Sequence, residues 1–272
     1  PPLDREMTAP LMQQLSLHGV DVRLGTTAAA IAEHGEALTV TLTTGETVSA
    51  DVVVLAIGVR PEASLAEAGG LTLGATGGIA VSPAMQTSDE SIYAVGDAVE
   101  VTHAVTGAPT LIPLAGPANR QGRLAADAIF GRDVSYTATQ GTAICKVFDA
   151  TAAATGINAT AAARDGIAAE HITVHPTNHA GYYPGAAGMT LKLLFAPDTG
   201  KLLGAQVVGS DGVDKRVDVL ATAIAAGMTV FDLEELELAY APPYGSAKDP
   251  VNIAGFVAAN VLRGDVALCH PA

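Results

Sequence analysis

The chain has 272 residues, of which 49% are hydrophobic, and a formal net charge of −14. It is long enough for two ordinary domains with a sizeable core, and its acidic balance argues against nucleic acid or an anionic membrane as a partner, because both select clustered Lys and Arg. No apolar run reaches the roughly 18 residues of a membrane span, no signal-peptide pattern opens the chain, and its two cysteines form no disulfide or zinc pattern, so we expect a soluble, cytoplasmic protein without a bound metal.

The first 61 residues have the pattern of the end of an α/β unit. Residues 8–18 predict a short amphipathic helix that Gly19 closes, and residues 20–25 predict a strand. The alternating β-branched residues between 37 and 50 predict a hairpin with Gly45 in its turn. The strongly apolar run 52–59 predicts a further strand.

Residues 62–138 carry a short apolar stretch that ends on an acid. The sequence SIYAVGD, residues 91–97, predicts a short buried strand that stops at Gly96 and exposes the carboxylate of Asp97. An acid in this place binds the hydroxyls of a ligand or caps a neighbouring turn, and these residues alone leave both interpretations open. A helix is predicted from residue 118 to residue 130.

From about residue 139 the pattern becomes α+β. Residues 197–200, Pro-Asp-Thr-Gly, predict a hairpin turn between two strands. The last helix should be N-capped by Asp249, with Pro250 in its first position. The predicted strands are 142–148, 171–175, 190–196 and 202–209, and the predicted helices are 214–226, 232–237 and 249–262.

A phosphate-binding loop of the dinucleotide type is missing from the sequence. Such a loop has the pattern G-x-G-x-x-G at a helix N-terminus, yet none of the 29 glycines is followed by another two positions later. We therefore expect any nucleotide ligand to be held in another way or by residues outside this chain.

Six segments resemble the FAD-dependent pyridine nucleotide-disulfide oxidoreductases, and in particular the coenzyme A-disulfide reductases. SIYAVGDAVE resembles the second flavin-binding signature of this family, and DVVVLAIGVRPE is similar to the return from the NAD(P)H domain to the FAD domain. LIPLAGPANRQGRLAAD resembles the passage beside the flavin ring. The segments HPTNHAGYYPGA, GVDKRVDVLATAIAAGMTV and ELAYAPPYGSAKDPVNIAGF resemble the dimerisation domain.

The resemblance implies an α/β fold in which partial NAD(P)- and FAD-binding Rossmann-like segments precede an α+β dimerisation domain with an antiparallel sheet. The implied domains are the end of the NAD(P)H domain (1–61), the returning part of the FAD domain (62–138), the dimerisation domain (139–264) and a tail (265–272). Family members are longer at the N-terminus, where the redox cysteine lies. The chain is therefore expected to be the C-terminal portion of such an enzyme and to be inactive alone.

The cofactors and partners also follow from the resemblance. FAD and NAD(P)H are the implied cofactors, coenzyme A is part of the implied disulfide substrate, and the implied assembly is a homodimer. The alternatives are an NAD(P)H oxidase or polysulfide reductase on the same scaffold, or a dimerisation fragment without activity. The residues that would contact FAD are Gly96, Asp97, Leu114, Ala115, Gly116 and Asn119.

Tyrosines in two Gly- and Pro-rich loops are the implied catalytic residues. In coenzyme A-disulfide reductases, tyrosines in the matching loops reach the site of the partner subunit, which points here to Tyr182, Tyr183 and Tyr240. A phenol can donate a hydrogen bond or a proton to a leaving thiolate. Packing at an interface is the alternative role for these rings. Lys248 and Arg216 are weaker candidates for contacts to coenzyme A phosphates.

The remaining thiols and histidines predict no chemistry. Cys145 lies in the apolar stretch AICKVF, which predicts a buried, unactivated thiol, and Cys269 has only His270 as an activating neighbour. His171, His175 and His179 recur every four residues, but the sequence around them favours a strand, where this spacing is too long for one metal ion.

Overall fold

The computed structural model describes residues 2–35 and 37–269, so the end of the expected tail, residues 270–272, lies outside the described residues. The chain divides into two compact units. The smaller unit is Leu15–Arg60, and the larger unit combines the residues up to Gln14 with those from Pro61 onwards. No helix in the described part of the chain is long and apolar enough to cross a membrane.

The smaller unit contains a three-stranded antiparallel sheet in the order β1-β2-β3. The predicted hairpin is confirmed as β2 and β3, and Gly45 in its turn has φ +86°. The sequence did not predict β1, AAAIAEH, because alanine has a low strand propensity. The strands are β1 Ala28–His34, β2 Ala37–Leu42 and β3 Thr47–Ala50.

Two strand predictions in this unit are wrong. Residues 20–25 form no strand, and the apolar run 52–59 is neither a strand nor buried, with Ile57 90% exposed. A continuous apolar run is typical of a parallel-sheet strand that is covered on both faces. No strand among the described residues pairs with 52–59, so its hydrophobic side chains remain exposed.

The first part of the larger unit consists of short elements and contains a small core of its own. A 3-10 turn at Arg5–Thr8 leads into helix α1, and β5 pairs in parallel with β4 and antiparallel with β6. The core contains Met85, Val99, Val101, Ala125 and Tyr136. The elements are α1 Ala9–Leu17, α2 Ser64–Ala68, β4 Ile79–Ala80, β5 Val99–Thr102, β6 Pro109–Thr110 and α3 Ala115–Ile129.

Two expectations about this region need correction. Residues 91–97 form no strand, apart from an isolated bridge between Tyr93 and Gln86, and both Ile92 and Val95 are 41% exposed. As in residues 52–59, the hydrophobicity of the segment predicted a strand, but no neighbouring strand among the described residues pairs with it. Helix α3 begins three residues earlier than predicted, at Ala115, because Gly116 and Pro117 are accommodated in its first turn.

The second part of the larger unit contains a five-stranded antiparallel sheet in the order β7-β8-β11-β10-β9. Four of its strands were predicted; β8, ATAAATG, was missed for the same reason as β1. Cys145 lies on the edge strand β7 and is exposed, so the prediction of a buried thiol is wrong. The strands are β7 Ala143–Val147, β8 Ala150–Gly156, β9 Glu170–Val174, β10 Met189–Phe195 and β11 Leu202–Gly209.

Helices cover one face of this sheet. Helix α5 packs on β8 and β11, α7 packs on β9 and β10, and α6 packs on α7. As predicted, Asp249 caps α7, forming a capping box with Asn252, and Pro250 opens the helix. The fully buried side chains between helices and sheet include Leu191, Phe195, Val207, Leu220, Leu233 and Val251. These helices are α5 Val213–Ala225, α6 Val230–Glu235 and α7 Pro250–Arg263, whereas α4 Ala159–Arg164 packs with Leu194 and Leu203 in a separate core cluster.

The N-terminal segment is fastened to the sheet by a buried ionic cluster. Asp4, 4% exposed, accepts hydrogen bonds from Lys192 Nζ at 2.8 Å and Gln206 Nε2 at 2.7 Å. Its carboxylate also accepts the N–H of Ala159 at 3.1 Å, in the first turn of α4. Met7 packs fully buried beside this cluster. One carboxylate thus joins the N-terminal segment to α4, β10 and β11.

Candidate functional site

Gly96 and Asp97 lie on a loop that is held by one buried side chain. Gly96 has φ +86°, a conformation that favours glycine, and its N–H donates to Oε1 of Gln121 at 2.7 Å. Gln121 is 2% exposed, whereas Asp97 is exposed. The loop therefore holds a carboxylate out towards solvent on a backbone that helix α3 fixes.

The start of α3 provides free backbone donors next to this loop. Its N-cap, Leu114, makes no side-chain cap, and the first helical hydrogen bond runs from Ala118 to Leu114. The N–H groups of Ala115 and Gly116 consequently have no helical acceptor. A Cβ on Gly116 would meet no atom within 4 Å, so a flat ligand can approach the backbone there.

The structure brings most of the predicted flavin-binding residues together. A Cβ on Gly96 would lie 3.9 Å from Cβ of Ala118, which places the Asp97 loop against the first turn of α3. Asn119 is exposed in the same turn. An exposed acid for ligand hydroxyls, open amides and a positive helix end fit the FAD that the resemblance implies.

Two of the three predicted tyrosines form a pair. The hydroxyls of Tyr182 and Tyr240 lie 3.2 Å apart, although 58 residues separate them in the sequence. The hydrogen bond with Tyr240 raises the pKa of Tyr182 above its ordinary value. Tyr182 is a neutral phenol near neutral pH, as an ordinary tyrosine is, and can donate a hydrogen bond or a proton. Tyr183 instead packs edge-on against the ring of His179, with 5.7 Å between ring centroids.

The two tyrosine loops are joined to each other below the hydroxyl pair. The N–H of Ala180 donates to the carbonyl of Gly245 at 2.9 Å. The expected contact of Arg216 to coenzyme A phosphates is contradicted, because this side chain is 2% exposed and bound to Asp249 and to the carbonyl of Asn178. Lys248 remains exposed, with its ammonium group 6.0 Å from the ring of Phe256.

The tyrosine pair and the Asp97 loop are separate clusters. Among the residues described, no hydrogen bond joins one to the other. Nor does any group of three His, Cys, Asp or Glu side chains in the described ranges suit a metal ion.

The sequence did not predict the residues that hold the two clusters in place, which are Gln121 beneath the Asp97 loop and Arg216 beneath the tyrosines. The only sequence signal for either was a polar residue on an otherwise apolar helix face.

Comparison with known proteins identifies the family to which the regions containing the two clusters belong. The family described as pyridine nucleotide-disulphide oxidoreductase matches residues 1–122, which include the Asp97 loop and the first turns of α3. Its dimerisation domain matches residues 142–249, which include both tyrosine loops.

Individual relatives agree with this assignment. The chain is 35% identical to an NAD(P)H coenzyme A polysulfide/persulfide reductase of Pyrococcus horikoshii, over 96% of this chain and 57% of the relative. It is 32% identical to a coenzyme A disulfide reductase of Staphylococcus epidermidis, over 94% of this chain and 57% of the relative. The crystal structure of reduced CoADR-RHD from Bacillus anthracis superposes with a TM-score of 0.95 at 50% identity, covering 99% of this chain and 48% of that one.

The chain thus spans little more than half the length of these two curated relatives. The matched regions nevertheless run through nearly all of its own residues and include every residue of the two clusters. The chain belongs to the pyridine nucleotide-disulphide oxidoreductase family.

Proposed function

We propose that this chain works as part of a FAD-dependent NAD(P)H:disulfide oxidoreductase whose substrate is coenzyme A disulfide or a related disulfide. The observation that carries the proposal is the Tyr182–Tyr240 hydroxyl pair, in a domain that the dimerisation family matches. The names of the P. horikoshii and S. epidermidis relatives support coenzyme A as part of the substrate.

The Asp97 loop and the start of α3 would hold the flavin. Asp97 accepts hydrogen bonds from ligand hydroxyls, and the N–H groups of Ala115 and Gly116 donate to the ring, with Leu114 and Asn119 beside them. When bound, FAD supplies the transfer of electrons from NAD(P)H to the disulfide. Gln121 keeps the loop against the helix, so that the carboxylate and the amides face one ligand.

Tyr182 would supply a proton to the sulfur that leaves. Two-electron cleavage of a disulfide produces two thiolates, and protonation of the departing one releases it as a thiol. A phenol is protonated at neutral pH, and the hydrogen bond with Tyr240 raises the pKa of Tyr182 further. A phenol of this kind can donate a hydrogen bond to the thiolate and then its proton. Tyr183, against His179, would shape the loop around the substrate.

A homodimer would bring the tyrosines of one subunit to the flavin of the other. Helix α5 borders an open apolar groove of about 350 Å³, and several apolar side chains of α7 are only half-buried. Apolar surface of this kind usually marks an interface, and two-fold pairing is the commonest arrangement. The groove is lined by Val219, Ala223, Met228, Leu236 and Leu238, together with Asp218 and Thr222.

The second candidate is a polysulfide or persulfide reductase on the same scaffold. The name of the P. horikoshii relative, an NAD(P)H coenzyme A polysulfide/persulfide reductase, favours it. The two functions share the flavin contacts and the tyrosines and differ in the sulfur species that is reduced. An NAD(P)H oxidase is a further alternative, which would not need a tyrosine that protonates sulfur, and a dimerisation fragment without activity is another.

Phenylalanine substitutions test the role of the tyrosine pair in the complete flavoprotein. Loss of a general acid should slow reduction of coenzyme A disulfide by about 10²-fold in Tyr182→Phe, and Tyr240→Phe should slow it to a lesser degree. Flavin reduction by NAD(P)H, followed by stopped-flow absorbance, should stay unchanged. Tyr244→Phe is the matched control, because Tyr244 is 73% exposed and lies near Tyr240 in the chain but outside the pair. Equal rates in Tyr182→Phe and Tyr244→Phe would refute the assigned role.

A further inference from the structure

Arg216 is a buried cation that binds both tyrosine loops at once. It lies in the first turn of α5, and its side chain is 2% exposed. Nη2 donates to the carbonyl of Asn178 at 2.6 Å and to Oδ2 of Asp249 at 2.8 Å. Nε donates to the other carboxylate oxygen of Asp249 at 3.3 Å. The guanidinium thus bridges the segment before Tyr182 to the segment after Tyr240.

Each partner of Arg216 in turn orders its own loop. Oδ1 of Asn178 accepts the N–H of His179 at 3.0 Å and of Ala187 at 2.8 Å, which closes the loop that carries Tyr182. Asp249 caps α7 by accepting the N–H of Val251 at 3.1 Å. The loop with Tyr240 leads into this cap, so both loops end at the same guanidinium.

An arginine makes a set of hydrogen bonds at this position that a lysine cannot make. A planar guanidinium can bind a carboxylate with two donors and a carbonyl with the same group, whereas an ammonium group is a single point. Gly212, at φ +70°, leaves room for it, because a Cβ there would lie 2.6 Å from Nη1 of Arg216. If Arg216 served only to neutralise the charge of Asp249, it would not need its hydrogen bond to the carbonyl of Asn178.

We propose that Arg216 is a positioning residue that holds the two loops in the register at which the hydroxyls of Tyr182 and Tyr240 meet. It touches neither substrate nor flavin and acts through the tyrosines. Its role in catalysis rests on the proposed function, but its role in forming the tyrosine pair does not. The two parts are therefore tested by separate measurements.

The pair itself is tested by NMR on the 272-residue chain labelled with carbon-13 at Cζ of tyrosine. Tyr182→Phe and Tyr240→Phe assign the two signals. Two variants remove the bridge between the loops. Arg216→Met/Asp249→Asn removes both buried charges, and Arg216→Lys keeps the charge opposite Asp249 and preserves the fold. In both variants the pKa of Tyr182 should fall towards its ordinary value. Arg263→Met is the control: Arg263 also holds a carboxylate, Glu234, with two donors, but it is 47% exposed in side chain and lies about 20 Å along α7 from Asp249.

The catalytic consequence is tested in the complete flavoprotein. Arg216→Lys should lower kcat for coenzyme A disulfide by about 10²-fold, the cost of misplacing a reacting group by about 1 Å, with flavin reduction by NAD(P)H unchanged. In a Tyr182→Phe background the same substitution should have no further effect. A folded Arg216→Lys chain in which Tyr182 titrates as in the parent would overturn the inference. An altered Tyr182 titration with unchanged kcat would instead leave the pairing role standing and contradict the proposed function.

Discussion

Gln121 connects the two halves of the candidate flavin site through a single hydrogen bond. Its buried amide accepts the N–H of Gly96 at 2.7 Å from within helix α3. The adjacent Arg120 is also engaged, donating to the carbonyl of Ala138 at 3.2 Å with its guanidinium 5.0 Å from the ring of Tyr136. Each of these two polar side chains thus has a partner within the protein.

Removing the acceptor of Gln121 should weaken flavin binding. In Gln121→Leu the part-buried N–H of Gly96 loses its partner, at a cost of about 0.5–1.5 kcal/mol for a typical hydrogen bond, and the Asp97 loop can move away from α3. We expect a loss of FAD affinity of about 10-fold in the complete flavoprotein, measured by flavin fluorescence after dialysis. Arg123→Leu, an exposed position on the same helix, is the control. Unchanged FAD affinity in Gln121→Leu would mean that the loop does not depend on this bond.

At the scale of the elements, the Asp4 cluster determines how the N-terminal segment responds to acid. Burial alone would raise the pKa of Asp4, but hydrogen bonds from Lys192, Gln206 and the N–H of Ala159 outweigh it and lower the pKa below 3.8. A carboxyl group with a lower pKa in the folded chain stabilises the fold above its unfolded pKa. This contribution is lost as the pH falls through the folded value.

Asp4→Asn should therefore make the free energy of unfolding depend less on pH in the acid range. The free energy of unfolding of the variant, from denaturant titrations at a series of pH values, should lie below that of the parent near neutral pH. The two curves should converge as the pH falls through the folded pKa of Asp4, because the parent then loses the same charge. Glu237→Gln, at an exposed acid, should leave the curve unchanged. Parallel curves for Asp4→Asn and the parent would contradict the assignment.

The elements that could be predicted from the sequence are those whose signal is local. Helix α7 carries its own cap at Asp249, and β10 and β11 carry β-branched or large apolar side chains on both sides of a Pro-Asp-Thr-Gly turn. Strands β1 and β8 are rich in alanine and are strands only because their neighbours pair with them. The run 52–59 is the opposite case, a strong strand signal with no described partner.

The features of the candidate site also divide into those with a local signal in the sequence and those that depend on the fold. The tyrosines and Asp97 could be proposed from motifs, whereas the pairing of Tyr182 with Tyr240 depends on loops 58 residues apart. Arg216 was misassigned because a charged residue in sequence is normally exposed. Only the fold shows that Asn178 and Asp249 converge on it.

For the whole molecule, the groove beside α5 predicts self-association through the dimerisation domain. The 272-residue chain should sediment as a dimer at micromolar concentration, and Val219→Glu should convert it to a folded monomer by placing a charge in the apolar groove. Ile129→Glu, at a 58% exposed apolar side chain of α3, is the control and should remain dimeric. If the parent chain sediments as a monomer, the groove is not an interface, and the tyrosines do not reach a partner subunit.

In the proposed function, the complete flavoprotein reduces the disulfide of coenzyme A at the expense of NAD(P)H. Counting free thiols against NAD(P)H consumed, without oxygen and with coenzyme A disulfide as the only acceptor, tests it most directly. We predict two thiols released for each NAD(P)H oxidised, a dependence on bound FAD, and no turnover by the 272-residue chain alone. Oxidation of NAD(P)H that begins only when oxygen is admitted, with no thiol formed, would contradict the account and identify an oxidase on the same scaffold.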